Sequence, residues 1–221
     1  MKIAEEIHQV EGINGNVYLV EDGDKLILID TGLPRSHKKI IKYIETLGRK
    51  PTDVSVIVLT HFHIDHVGSA KKMKELTNAK LAVHELDADF VAGKKAPLKP
   101  KNLMFKALSS IIKADSVEPD LLLKENDEVG RLIVIHTPGH SEGSISLLDN
   151  ERKVMFVGDA VRFVDGKIEG PPEGFTLDSE KAKESIGRIS TFNFDILLSG
   201  HGQPLMPNAS QKVKDFYATM K

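Results

Sequence analysis

The chain has 221 residues, 40% hydrophobic and 28% charged, with a formal net charge of −2 and neither cysteine nor tryptophan. The lack of cysteine excludes a thiolate nucleophile, thiolate zinc ligation and a disulfide framework. The near-neutral charge gives no global pull toward nucleic acid or an anionic membrane, so neither partner is expected.

At this length one α/β unit can bury a large core without covalent staples. The stretch Met1-Lys2-Ile3-Ala4-Glu5-Glu6-Ile7 lacks the apolar core of a signal peptide. No apolar run approaches the ~18–20 residues that span a bilayer. A cytoplasmic location is therefore expected, and the Lys- and Glu-rich composition hints at a thermophilic source.

In chain order, period-2 apolar patterning predicts strands near 3–9, 16–21 and 25–29, then a helix near 36–47 with Ile40, Ile41, Ile44 and Leu47 on one face. Val54-Ser55-Val56-Ile57-Val58-Leu59 reads as a buried strand. A helix from Gly68 to Leu76 and a strand at Lys80–His84 follow. Residues 86–120 interrupt the pattern and read as a helical insertion, with Leu103, Met104, Phe105, Leu108, Ile111 and Ile112 at helix-like spacing. Four lysines, Lys94, Lys95, Lys99 and Lys101, precede that face and read as a solvated loop. The second half predicts strands at 132–136, 144–149, 153–158 and 195–198, with helices near 178–190 and 210–220. No linker divides the chain, so one domain over 1–221 is expected.

The densest chemistry lies in Thr60-His61-Phe62-His63-Ile64-Asp65-His66. Four metal-ligand types follow the strand 54–59, at the C-terminal strand end where α/β folds place their sites. A divalent cation compensates such crowding, and zinc, which accepts both nitrogen and oxygen, is the first choice. Three further ligand types recur in the same context. His140 follows Arg131-Leu132-Ile133-Val134-Ile135, Asp159 follows Val154-Met155-Phe156-Val157, and His201 follows Asp195-Ile196-Leu197-Leu198. Each sits beside glycine, which lets the backbone turn sharply. The pattern predicts four strand ends on one rim.

His61-x-His63-x-Asp65-His66 followed by His140, Asp159 and His201 resembles the metallo-β-lactamase superfamily. The strand Asn16-Val17-Tyr18-Leu19-Val20 and the segment Leu26-Ile27-Leu28-Ile29-Asp30-Thr31-Gly32 extend the likeness over nearly the whole chain. The resemblance implies a four-layer αββα sandwich and two divalent metals, with iron or manganese as alternatives to zinc. One metal would take His61, His63 and His140, the other Asp65, His66 and His201, and Asp159 would bridge them opposite a shared water or hydroxide. Two cations at roughly 3.5–4 Å lower the pKa of such a water and polarise the substrate. Asp65 would also assist proton transfer. Within the family the chain looks most like the glyoxalase-II-like and lactonase-like branch, which implies hydrolysis of a carboxylic thioester, ester or lactone.

Other activities use related sites: a mononuclear iron oxidoreductase of sulfur compounds, persulfide-dioxygenase-like, a phosphodiesterase or nuclease, or a β-lactamase. The substrate is expected to be a small molecule, with Phe163, Met104 and Phe105 as the apolar wall of its pocket. The sequence leaves oligomeric state open. Among the remaining polar residues, Thr60 and Ser141 read as hydrogen-bond supports for ligands. Asp30 reads as a turn-stabilising or supporting carboxylate, His84 and His136 as structural, and His8 and His37 as surface residues.

Overall fold

The computed structural model describes residues 1–96 and 114–220, which divide into two units, Met1–Leu123 and Lys124–Lys221. Among the described residues the N-terminal unit carries a seven-stranded sheet ordered strictly along the chain. Its strands are β1 (Lys2–Ala4), β2 (Ile7–Gln9), β3 (Tyr18–Asp22), β4 (Lys25–Ile29), β5 (Val54–Leu59), β6 (Lys80–His84) and β7 (Leu121–Leu123). β1 to β4 pair antiparallel and β4 to β7 parallel. The change of sense follows from connection length: short turns suffice for the antiparallel strands, whereas each parallel step needs a crossover. Helix α1 (His37–Thr46) lies on the crossover from β4 to β5. A short helix α2 (Ile64–Val67) and α3 (Ala70–Thr77) lie on the crossover from β5 to β6, and α4 (Ala88–Val91) follows β6.

Alternation decides which face meets the helices. Leu26, Leu28, Ile57, Leu59, Leu81 and Val83 share one cluster with Ile40 and Ile44 of α1 and Met73 of α3. Ile40, Ile44 and Met73 are completely buried. Burying each contributes about 1.5–3 kcal/mol, so this face anchors both crossovers. Ile27, Ile29 and Val58, which point the other way, are buried too, and the parallel strands accordingly read as continuous apolar runs.

The C-terminal unit has a five-stranded sheet ordered β14-β11-β10-β9-β8 among the described residues. Its strands are β8 (Glu128–Val129), β9 (Leu132–His136), β10 (Ile145–Asp149), β11 (Val154–Gly158) and β14 (Ile196–Ser199). A separate hairpin joins β12 (Arg162–Val164) to β13 (Lys167–Glu169). Helices α5 (Ser179–Ile189) and α6 (Ala209–Thr219) pack Ile186, Ile189, Ala209 and Val213 against Ile135, Leu148, Met155, Val157 and Leu197.

Several expectations need correction. The strand expected over 3–9 is a hairpin, because Glu6 takes a left-handed conformation at φ 58° and turns the chain. His8 is not a surface residue: it is 4% exposed, with Nδ1 at 3.2 Å from the Tyr43 hydroxyl and Nε2 at 2.9 Å from Glu21 Oε1. His37 is half-buried at the start of α1, where its backbone N–H donates to Ser69 Oγ. Burial, together with Lys38 and Lys72, holds its imidazole below the ordinary value. β7, β8 and the β12–β13 hairpin are too short or too polar to stand out in a periodicity reading. Within the expected insertion, α4 is the described helix, and residues 97–113, with Met104 and Phe105, lie outside the described residues. No helix among the described residues is long and apolar enough to cross a membrane.

Candidate metal centre

In the N-terminal unit the candidate ligand residues leave β5 together. His61 and His63 lie on the connection, and one turn of helix, α2, carries Asp65 and His66. The turn is tied back to β4, because the His66 carbonyl accepts from the Thr31 backbone N–H at 2.7 Å and from Thr31 Oγ1 at 2.8 Å. The ring centroids of His61 and His63 are 4.8 Å apart and those of His61 and His66 4.1 Å apart. Ligand atoms of the pairs His61–His63, His61–His66 and Asp65–His66 lie within 4.8 Å of each other.

Asp30 organises this cluster. It is 2% exposed at the end of β4, in a left-handed conformation at φ 59°. Its Oδ1 accepts from the Thr60 backbone N–H, and its Oδ2 accepts from Thr60 Oγ1, each at 2.8 Å. Oδ2 also takes His66 Nδ1 at 2.8 Å. A carboxylate only accepts, so His66 Nδ1 carries a proton, and in the neutral ring Nε2 keeps the lone pair. Thr60 spends its single hydroxyl proton on Asp30, and its oxygen lies 3.1 Å from His61 Nδ1, so it must accept there. His61 therefore also presents Nε2 as its lone-pair nitrogen. One buried carboxylate sets the tautomers of two histidines, which bears out the expectation of supporting roles for Thr60 and Asp30.

The C-terminal unit brings His140, Asp159 and His201 together by sheet pairing. β11 and β14 run parallel with Gly158 opposite Ser199, so Asp159 and His201 leave adjacent strand ends. The Gly200 N–H donates to the Gly158 carbonyl at 2.6 Å, and Ser199 Oγ donates to the His201 carbonyl at 2.6 Å. Asp159 Oδ2 lies 3.5 Å from His140 Nε2 and 3.5 Å from His201 Nε2. The tautomer of His140 is set as in the other unit. Thr176 Oγ1 donates to the Pro172 carbonyl at 2.9 Å, so it accepts from His140 Nδ1 across 3.4 Å. Nε2 is again the lone-pair nitrogen, and it is the one that faces Asp159.

Two glycines make these loops possible. Gly139 sits at φ 129°, and a Cβ there would run into the backbone nitrogen of Ala182 at the start of α5. Gly202 sits at φ 93°, and a Cβ there would meet the Phe163 carbonyl. Ser141 joins the loop to Ser144: its backbone N–H and its Oγ both meet Ser144 Oγ, at 2.9 and 2.8 Å. His136 takes the Glu142 carbonyl at Nε2, and His84 Nδ1 accepts from the Leu86 N–H. Phe163 lies on β12 and packs partly against the C-terminal core.

Thr176 and Asp87 went unnoticed in the sequence. Asp87 is fully buried and accepts from the Phe62 N–H between two candidate ligand histidines. No residue pattern marks either one, because each reaches the ligands only through the folded chain.

The donor set suits transition-metal cations: His61, His66 and His140 each carry a hydrogen bond on Nδ1 that leaves Nε2 as the ligating nitrogen of the neutral ring, and carboxylates stand beside them. Comparisons agree. The family model of the metallo-β-lactamase superfamily matches residues 10–201. The probable metallo-hydrolase YflN of Bacillus subtilis is 29% identical, over 91% of this chain and 86% of its own. The acyl-coenzyme A thioesterase MBLAC2 of Bos taurus is 29% identical, over 71% of this chain and 61% of its own. Among solved structures, TTHA1623 in a di-iron-bound form superposes with a TM-score of 0.71 at 25% identity, over 90% of this chain and 93% of its own. The expected α/β fold is thus borne out, and the chain belongs to the metallo-β-lactamase superfamily, a family of metal-dependent hydrolases.

Proposed function

We propose that the chain is a binuclear metal-dependent hydrolase, with zinc the first choice of metal, that cleaves a carboxylic thioester, ester or lactone. The observation that carries the metal pair is the position of Asp159 Oδ2, 3.5 Å from both His140 Nε2 and His201 Nε2. Two atoms bound tetrahedrally to one zinc at ~2.0–2.2 Å lie about 3.3–3.5 Å apart. The spacing therefore suits one oxygen shared between two cations, one on each histidine. Following the family's order, His61, His63 and His140 would hold one metal, Asp65, His66 and His201 the other, with Asp159 between them.

When bound, such a pair lowers the pKa of a shared water from 15.7 toward about 7 and polarises the substrate carbonyl. The chain's own residues do the rest. Asp30, Thr60 and Thr176 keep Nε2 of His66, His61 and His140 ready to ligate. Asp65 receives a proton and returns it to the leaving group. Phe163, with Met104 and Phe105 of the expected insertion, would form the apolar wall against which the acyl group binds. The likeness to MBLAC2, an acyl-coenzyme A thioesterase, supports thioesters as the first substrates to assay. Iron is the second choice of metal, favoured by the di-iron-bound neighbour.

The test is elemental analysis of the purified protein, then chelation and metal restoration against a panel of thioesters, lactones, β-lactams and phosphodiesters. About two metals per chain and thioester or lactone hydrolysis lost on chelation are expected. Hydrolysis unchanged after verified metal removal, or one iron per chain with oxygen consumption, would overturn the proposal.

A further inference from the structure

The residue between the two histidines of His61-x-His63 is held by an element outside the ligand motif. β5 and β6 run parallel with Leu59 beside Val83, so the connections leaving their ends emerge side by side. One carries His61 and His63, and the other turns at once into α4. Asp87 stands at that turn as the N-cap of α4. Its N–H donates to the His84 carbonyl at 3.0 Å, and its carbonyl accepts from the Phe90 and Val91 N–H groups at 3.1 and 3.2 Å. Its side chain turns away from the helix. Oδ2 accepts from the Phe62 N–H at 3.1 Å, and the residue is 0% exposed. The same helix grips Phe62 a second time, through its ring: Phe90 stacks on it with centroids 4.3 Å apart and planes 16° apart.

Backbone and side chain of Phe62 are thus fixed by one helical turn, and a buried carboxylate is retained only where hydrogen bonds hold it. The geometry points to Asp87 as a positioning residue for the metal centre: through the Phe62 backbone it sets the relative placement of His61 and His63. This inference rests on the metal-centre reading above. A charged acceptor strengthens the bond to the Phe62 N–H beyond what a neutral one gives. Supporting groups of this kind typically change metal affinity 10- to 100-fold when removed.

The experiment compares Asp87→Ala and Asp87→Asn with Asp149→Asn, a buried carboxylate of the C-terminal unit that pairs with Arg152. Zinc affinity is read by competition with a chromophoric chelator, and the thermal midpoint is read on metal-free protein. For Asp87→Ala we expect affinity for one of two zinc ions to fall roughly 10- to 100-fold, beyond any effect of Asp149→Asn at a comparable loss of midpoint. For Asp87→Asn, whose amide oxygen still accepts from Phe62 without the charge, we expect a smaller loss of roughly 3-fold or more. Folded Asp87→Ala with wild-type affinity at both sites overturns the inference. If Asp87→Ala does not fold, Asp87→Asn with unchanged affinity overturns it instead. Wild-type protein that takes up no divalent metal overturns the metal-centre reading itself, and this inference with it, whereas two bound zincs with indifferent variants overturn this inference alone.

Discussion

Replacing Asp30 with Asn separates the supporting hydrogen bonds from the shape that carries them. Asparagine matches aspartate in size and tolerates the left-handed conformation at φ 59°, so backbone strain does not confuse the result. The amide oxygen can still accept from the Thr60 backbone N–H, the bond now made by Oδ1 at 2.8 Å. The amide nitrogen replaces Oδ2 and cannot accept from Thr60 Oγ1 or His66 Nδ1, two contacts of 2.8 Å each. Hydrogen bonds to a charged group contribute about 1.5–3 kcal/mol each, and a stranded buried donor costs about 1–3 kcal/mol. Both donors can reorient in part, Thr60 by rotating its hydroxyl and His66 by changing tautomer. The expected destabilisation is therefore about 2–4 kcal/mol, a large part of an ordinary stability of about 5–15 kcal/mol.

The tautomer change has its own consequence. A His66 that moves its proton to Nε2 has lost its ligand nitrogen, so metal affinity should fall about 10- to 100-fold as well. Urea unfolding of metal-free protein gives the first quantity, and chelator competition gives the second. An unchanged midpoint and slope in urea together with unchanged affinity would refute the assignment of Asp30 as the organising carboxylate. A loss of stability without any loss of affinity would refute the tautomer argument alone.

Asp159→Ala should lower occupancy at both metal positions, while Asp65→Ala should empty mainly one; two tightly held metals in Asp159→Ala, seen by elemental analysis, would contradict the bridging role. Gly139→Ala should destabilise by more than ~1 kcal/mol, because φ 129° and the Ala182 backbone both oppose a Cβ; a wild-type melting midpoint would contradict this. Against the burial that raises its pKa, Asp120 is held below the ordinary carboxylate value by the Leu81 N–H and by Lys74, both at 2.7 Å. Its contribution should be fully present above the unfolded value of 3.8 and be lost as pH falls through the lower folded value. The urea midpoints of wild type and Asp120→Asn should therefore differ at neutral pH and converge in acid, and a pH-independent difference would count against the pair.

Much of the molecule was legible in the sequence because the signals were local. Strand β5 shows as an apolar run rich in β-branched residues, α1 as Ile40 and Ile44 one turn apart, and His140, Asp159 and His201 as ligand types set between small residues at strand ends. Those features depend on side-chain period and backbone freedom, which a sequence states directly. The hairpin at Glu6 was missed because a single left-handed residue leaves no periodic trace. His8 was misread because its burial comes from Tyr43 and Glu21, distant in the chain.

The sequence marks Thr60 and Asp30 as supporting groups but not which groups they join, and it does not mark Asp87 or Thr176 at all. Asp30 and Thr60 are thirty residues apart, Asp87 and Phe62 twenty-five, and Thr176 and His140 thirty-six. Their meeting follows from strand order: β4 beside β5 brings Asp30 to Thr60, β5 beside β6 brings Asp87 to Phe62, and β11 beside β14 brings Asp159 to His201. The identities of the ligands are thus a property of the chain. The proton positions on His66 and His140 and the placement of the Phe62 backbone belong to the tertiary structure, because only the folded chain delivers Asp30, Thr176 and Asp87 to them.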